Sequence, residues 1–383
     1  MERHITHTPT DHDHERTRAL GVWYDTIVDA PGDDHRASHP SRTRQWTAAW
    51  EHVSTEQIDA HRHLHVTDLD ADVTETVPYF LVGADGCPYW NSQEVDAGVA
   101  PVWPGPVLYS GSPHGQYGGA GAATDRTAAV AALAGLGLAA ELGARAVVYS
   151  GLDIGQAKRL AAAGRRQGAA HVLDLATDVA HVRDLDPGAG LDHWWANTPA
   201  GHRRDIRRQW RRGTEAGLAL HPLTGKRMLP HLEEFTRLAV GTAERHGTAL
   251  YGRDMFERLA EVPGAVLLAA RTDGHLVGGL YSWLHDDRLY LWASGIDYQH
   301  PLGRLAYTWL MTEAPRWATE QGARHIDAGR ANYQAKQRLG YQPHVLRTVV
   351  HLPAHDPATA KALAALSRSL GEQALHHHPT LPW

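Results

Sequence analysis

The stretch from Asp327 to Lys336 holds the residues of this chain best suited to chemistry on a bound substrate. Asp327 closes a short apolar run and is followed by Ala328-Gly329, so a carboxylate stands at the end of a strand, where α/β folds place their ligands. A carboxylate there takes a proton from an attacking group or orients that group. It can equally cap the helix that follows or pair with Arg330. Arg330 and Tyr333, three residues apart, share a face of a short helix, and Lys336 lies about one turn further along. Asp327 and Tyr333 are the catalytic candidates, and Arg330 is a substrate-binding one.

A second concentration is basic. Arg203, Arg207 and Arg211 form one helical stripe, and Arg204, Arg208 and Arg212 form the next. Six guanidiniums within three turns repel one another unless carboxylates or phosphates neutralise them. On a chain of net charge −6, they point to a polyanion, either an RNA backbone or a phosphorylated acceptor; the other reading is a structural helix paired with Asp and Glu. Tyr281, Trp283, Trp292 and Ser294 sit on candidate central strands. Tyr117 lies in a Pro/Gly-rich run over 101–121, and long loops of this kind are often functional. These five are candidates to line a substrate pocket, with core packing as the alternative.

Other chemistries find no support. The chain lacks a Gly-x-Ser-x-Gly elbow, and its glycine-rich run has no Gly-Lys-Ser/Thr of a phosphate loop. The single cysteine, Cys87, precludes an intramolecular disulfide framework. His61, His63 and His65 alternate on one strand face, but no carboxylate stands at a supporting spacing, and no metal site is assigned. The histidines at 376–378 suit adventitious metal only. With 383 residues, 43% hydrophobic and 21% charged, the chain can bury a core over two or three domains. No apolar run reaches membrane-helix length, and the first residues resemble no signal peptide, so a soluble cytoplasmic protein is expected, with oligomeric state open.

The elements that position these residues come from an internal repeat. Gly143-Ala-Arg, a β-type run and Gly151 correspond to Gly322-Ala-Arg, a β-type run and Gly329. Each is followed by Gln-Ala-Lys (156–158 and 334–336), then Arg-Leu, then His-Val-Leu (171–173 and 344–346). Upstream, Asp85-Gly86 and Asp273-Gly274 are both hairpin-turn signals. Each half therefore reads hairpin, strand, helix, strand, helix, strand: an α/β (α+β) unit occurring twice. The second half predicts helices over 229–246, 253–261, 301–321, 331–340 and 358–375, and strands over 265–271, 276–284, 288–295, 324–328 and 345–352. Expected boundaries are a tail over 1–20, one domain over 21–190, a second over 191–375 that includes the Arg-rich helix 202–212, and a tail over 376–383. Residues 31–41 also read as loose.

The ending Tyr333-Gln-Ala-Lys336-Gln-Arg-Leu339-Gly340-Tyr341-Gln-Pro343 resembles that of GNAT acyltransferases. The segment from Trp194-Trp195 through the arginines to Gly217 resembles the inter-domain segment of Fem-like transferases, which are tandem GNAT-fold enzymes. Over roughly 22–352 the resemblance implies two GNAT-like domains, each a mixed, mostly antiparallel sheet flanked by helices. It implies a gap between the strands at 289–295 and 325–328 that admits an ester or thioester, an aminoacyl-tRNA as donor, and an amine on a small-molecule or cell-wall-precursor acceptor. No other cofactor is implied. It also places Lys336 toward the donor's phosphate end, a solvated lysine being the alternative. Acyl-CoA is the alternative donor, but only Gly303 of the loop 300–305 fits a pyrophosphate cradle, and Pro301 removes an N–H. In the first half, Leu152 and Asp153 stand where Arg330 and Ala331 follow Gly329, so that half lacks the candidates, and a non-catalytic RNA- or anion-binding role remains a further alternative.

Overall fold

The computed structural model describes residues 3–5, 19–31, 39–52, 57–99, 101, 103, 105–112, 114–118, 121–188, 190–245 and 251–381. The strands are β1 (Arg3–Ile5), β2 (Ala19–Tyr24), β3 (Ile58–Asp68), β4 (Val73–Val82), β5 (Val107–Ser110), β6 (Ala146–Leu152), β7 (His171–Asp184), β8 (Ala219–Thr224), β9 (Ala265–Thr272), β10 (His275–His285), β11 (Arg288–Ile296), β12 (His325–Asp327) and β13 (Gln342–Leu352). The helices are α1 (Arg44–Trp50), α2 (Pro88–Ala97), α3 (Asp125–Leu142), α4 (Ile154–Arg166), α5 (Gly190–Ala196), α6 (Ala200–Glu215), α7 (Leu232–Arg245), α8 (Arg253–Leu259), α9 (Gly303–Glu320), α10 (Tyr333–Arg338) and α11 (Pro357–His377). Among the described residues no helix is long and apolar enough to cross a membrane.

Two compact units result. The first comprises residues 1–178 and 345–383, and the second residues 179–344. The boundary expected after residue 190 thus lies inside the second unit, and the last strand and helix return to the first. The cause is an exchange of final strands. In the first unit, β6 takes residues 347–351 of β13 as its antiparallel neighbour; in the second, β12 takes residues 182–184 of β7. Each short parallel strand gains an antiparallel partner from the other copy of the repeat, which covers an edge otherwise open to pairing.

The duplicated order is plain in the sheets. In the first unit β2, β3, β4 and β5 follow one another antiparallel, and β5 then pairs with β6 in parallel. In the second, β8 to β11 are antiparallel, and β11 pairs with β12 in parallel. Asp273-Gly274 closes the β9–β10 hairpin with positive φ at both residues, as its type I′ chemistry requires. Asp85-Gly86 does not close a hairpin. Gly86 has φ 78°, but Pro88 at the first helical position starts α2, and the hairpin of this unit is β3–β4.

Alternation along the strands supplies a helix layer to each face. In the first unit Tyr79, Val147 and Tyr149 face the small residues of α3 together with α4, while Val82, Val107 and Val148 face α2 and α11. Small residues let α3 approach closely: a Cβ at Gly135 would lie 2.6 Å from the Tyr149 hydroxyl, and Tyr79 and Tyr149 both donate to Ala131 O. In the second unit Leu268, Val277, Leu289 and Ile326 pack on α6 and α9. The opposite face carries an aromatic layer under α7 and α8, in which Phe235, Phe256 and Tyr281 meet edge-on or tilted.

The expected N-terminal tail and the segment over 31–41 fall mostly outside the described residues, although β1, the start of β2 and a 3-10 turn over Pro40–Arg42 lie within them. The C-terminal end is ordered further than expected: α11 runs through His377, and His378 and Leu381 are buried.

His351 on β13 ties this packing to pH. It is fully buried, Nε2–H donates to Leu160 O at 3.1 Å, and burial pushes its pKa down to about 4. The neutral ring is therefore the folded form, while an unfolded chain takes a proton near pH 6.5. Unfolding free energy should fall by about 1.4 kcal/mol per pH unit from this group as pH drops from 6.5 toward 4, and no further below that. Urea titrations between pH 4 and 7.5 should show this slope, and His351→Gln should flatten it.

Candidate active site

The parallel pairing of β11 with β12 covers only three positions, Arg288↔His325 to Tyr290↔Asp327. β12 stops there because the chain turns away: Gly329, Ala331 and Asn332 have φ of 74°, 57° and 52° before α10 begins. β11 runs on to Ile296, paired on its other side with β10 through Gly278↔Ile296. Residues 291–296 thus form one wall of a wedge that opens where β12 ends. A register shift in the β10–β11 ladder, with Ser282 opposite Leu291 and Tyr281 opposite Ala293, leaves Trp292 as the extra residue on this wall. Trp292 and Ser294 are half-buried there.

The turn that ends β12 is held by buried polar groups. Asp327 is fully buried, and its Oδ1 accepts the Gly329 N–H at 2.8 Å. Gly329 O accepts from the His181 N–H at 3.1 Å and from Lys336 Nζ at 3.0 Å, and Lys336 also donates to Arg330 O. The His181 carbonyl accepts the Ala328 N–H at 2.8 Å. Lys336, expected toward a phosphate or solvent, is only 3% exposed, with its ammonium on these carbonyls. The reason is local: from its place on α10, four residues after Asn332, the side chain reaches back over the turn rather than outward.

Tyr333 is half-buried, its ring 5.3 Å from that of His181. Arg330 is half-buried near Tyr251, whose phenol burial pushes up to about 12 with the guanidinium opposing. Tyr251 in turn meets the Trp292 ring at 5.5 Å. Tyr307, on the first turns of α9, hydrogen-bonds to the Asn332 side chain, and its phenol is likewise pushed up to about 12 by burial. His181, Tyr251 and Tyr307 escaped the sequence reading. Tyr307 alone left a signal there, one helical turn after Gly303.

The remaining candidates separate. Tyr281 and Trp283 belong to the aromatic core: both are under 2% exposed, and the Tyr281 hydroxyl donates to Phe256 O at 2.8 Å. Tyr117 lies in the first unit, in the segment that follows β5. There β5 and β6 pair through Ser110↔Tyr149, and the chain then folds back against the end of β6. The Gly118 N–H donates to Gly151 O at 3.2 Å. A Cβ at Gly118 would lie 1.9 Å from Ser150 O, and one at Gly151 would lie 2.4 Å from Gln116 O. Ser41 Oγ donates to Tyr117 O, Arg42 Nε to Gly118 O and Trp46 Nε1 to Ser112 Oγ, while Trp50 stacks on His114 at 4.9 Å. The place that corresponds to the wedge is thus filled by the unit's own chain. The glycine-rich segment expected to line a pocket, of which Pro113 and Gly119 lie outside the described residues, is this filling.

On α6, Ile206 and Gly213 face inward, and a Cβ at Gly213 would lie 2.7 Å from the Trp309 ring. Trp210 Nε1 donates to Glu313 at 2.7 Å and Trp309 Nε1 to Thr214 at 3.0 Å, so α6 runs antiparallel to α9 with its C-terminal turns toward the start of α9. The six arginines divide. Arg203 curls onto Ala196 O and Thr198 O, Arg207 pairs with Asp192 at 3.2 Å, and Arg208 pairs with Asp205 at 2.6 Å. Arg204, Arg211 and Arg212 are exposed and form no ion pair among the described residues.

With this geometry in place, residues 200–337 match the family model described as an acetyltransferase (GNAT) domain. In the solved structure of FemX, the alignment covers 81% of this chain and 93% of that one at 11% identity, with a TM-score of 0.53. L-PGS from Bacillus licheniformis aligns over 76% of this chain and 86% of its own at 13% identity and a TM-score of 0.47. A tandem GNAT protein from the clavulanic acid biosynthesis pathway aligns over 78% and 84% at 14% identity and a TM-score of 0.39. No curated protein matches in sequence. The chain shares the mixed α/β fold of FemX, its residues 200–337 carry the GNAT match, and the wedge lies in the unit that holds that match.

The hold on the turn is testable by stability. Asp327→Ala leaves the buried Gly329 N–H without its acceptor and should lower unfolding free energy by about 1–3 kcal/mol. Asp327→Asn keeps an acceptor oxygen and should lose less. Chemical denaturation of both variants decides, and equal losses would mean that the carboxylate acts there by its charge.

Proposed function

We propose that this protein is an N-acyltransferase that moves an aminoacyl group from an aminoacyl-tRNA to an amine of a small-molecule or cell-wall-precursor acceptor. The observation that carries the reading is the wedge between β11 and β12 in the GNAT-matching unit. The scissile ester carbonyl enters the gap beside residues 291–296. The acceptor nitrogen attacks it, the C–N bond forms, the C–O bond to the ribose breaks, and the proton lost by the nitrogen leaves with the ribose hydroxyl. Arg330 and Tyr333, on the turn and short helix beyond β12, are the groups offered to the substrates, with Trp292 and Ser294 on the facing wall. Asp327 and Lys336 act as positioning residues that fix the turn's backbone.

The start of α9 favours tRNA over acyl-CoA as donor. A CoA pyrophosphate needs several N–H groups free at a helix N-terminus. Here the Gly303 N–H donates to His300 O, the Leu305 and Ala306 N–H groups donate to Leu302 O, and the Leu302 N–H donates to His300 Nδ1. A Cβ at Gly303 would lie 1.9 Å from Asp297 O, so this glycine serves a tight turn rather than a ligand's approach. The exposed arginines of α6 suit the phosphates of an RNA backbone, and a charged-tRNA donor places the reaction in the cytoplasm. FemX and L-PGS share the aligned regions of this chain, and that likeness is one of fold.

Two measurements test the reading. Charged tRNAs and acyl-CoAs are incubated with the protein and an amine library, and N-acylated amine is detected by mass spectrometry. Consumption of charged tRNA that depends on both protein and amine supports the proposal; consumption of acyl-CoA alone overturns the donor assignment. In filter binding, Arg211→Ala with Arg212→Ala should weaken tRNA binding about tenfold near 0.1 M salt and reduce the slope of log K against log salt by about 1–2. An unchanged slope removes the helix from the RNA interface.

A further inference from the structure

The first unit holds a side-chain cluster that plays no part in acyl transfer. His61 and His63 alternate on one face of β3, and Glu51 is the C-cap residue of α1. One ligating atom from each of the three lies within 4.8 Å of the other two. His63 is fully buried, and its Nε2 stands 2.6 Å from Glu51 Oε1 without a hydrogen bond directed along the ring N–H. Glu51 Oε1 also accepts the Ile27 N–H at 2.8 Å, which fixes the carboxylate toward the imidazoles. Phe80 forms an apolar floor, its ring 6.3 Å from His61 and 6.1 Å from His63. His61 is only half-buried, which leaves a path for an ion and for water. His65, the third imidazole of the stripe, is engaged elsewhere, with Nδ1 3.3 Å from Thr76 Oγ1.

Two imidazoles and a carboxylate are a donor set for zinc, with ligands at about 2.0–2.2 Å.

We infer that Glu51, His61 and His63 bind one divalent transition-metal ion of the zinc class, with water in the open position, and that this ion fastens α1 to β3. The consequence is structural. α1 carries Trp46 and Trp50, which bond to Ser112 and stack on His114 in the segment that fills this unit's wedge. The ion therefore braces the side that is closed to substrate.

The test uses the full chain, stripped with a chelator and titrated with zinc chloride at pH 7.5 by calorimetry. One equivalent should bind, and His61→Ala or Glu51→Gln should each weaken it at least tenfold with the far-ultraviolet spectrum unchanged. A variant with alanine at 376–378 should retain it. Cobalt added to the stripped wild-type chain should give the visible absorption of a four- or five-coordinate ion, absent from His61→Ala. Should Glu51→Gln fail to fold, His61→Ala decides, since its ring is half-exposed. Absence of saturable binding overturns the inference, as does binding that survives His61→Ala and disappears when residues 376–378 are changed. Either result would leave Glu51 and His63 as a buried pair and would leave the acyltransfer reading intact.

Discussion

Strand pairing that stops early is the constraint from which the rest of the second unit follows. A parallel strand normally continues along its neighbour until one of them ends. Here β12 ends after three residues because three left-handed φ values within four residues steer the chain off the sheet, while β11 keeps going. Only one of the three is glycine, so Ala331 and Asn332 hold a conformation unfavourable to residues with a Cβ. The offset is met locally: a buried carboxylate on one N–H, a buried ammonium on two carbonyls, and a backbone bond from His181 all converge on residues 327–330. These bonds hold the turn and with it the early end of the β11–β12 pairing.

The duplication shows how one architecture can be used twice to different ends. Both units repeat the antiparallel run that ends in a parallel pair, and both complete it with a strand from the other copy. In the first unit a glycine-rich segment lies so close to the end of β6 that no side chain fits at Gly118. In the second, no strand among the described residues pairs with the far part of β11 on the β12 side, where the Ile296 N–H donates to Thr242 Oγ1 at 2.9 Å. The first copy has its own chain packed at the corresponding place. The second has kept a gap, with Arg330, Tyr333, Tyr307 and Tyr251 near it.

Charge is divided as economically. Arg203, Arg207 and Arg208 satisfy helix ends and nearby carboxylates, and so reduce the repulsion within α6 that six arginines would otherwise cause. That leaves Arg204, Arg211 and Arg212 facing solvent. The apolar side of α6 is anchored to α9 by Trp210, Trp309 and a glycine that only a bare backbone could supply. A helix with mean composition this polar stays in place because two indoles, not its own propensity, hold it there.

Periodicity and turn chemistry in the sequence determined the elements. The duplication, the Asp273-Gly274 hairpin, the strand ending at Asp327 and the short helix after it were all legible, because each depends on residues close together in the chain. The gap beside β11 was legible only through resemblance, since strand pairing length is not a local property. Tertiary structure alone decided the rest. It turned Lys336 inward onto carbonyls, sent Tyr281 and Trp283 into the core, and returned the final strand to the first unit. It also brought Glu51 to two histidines ten and twelve residues away in sequence. Those outcomes depend on which face of an element meets which neighbour across the fold, and a sequence read along its length carries the period of each face but not the partner set against it.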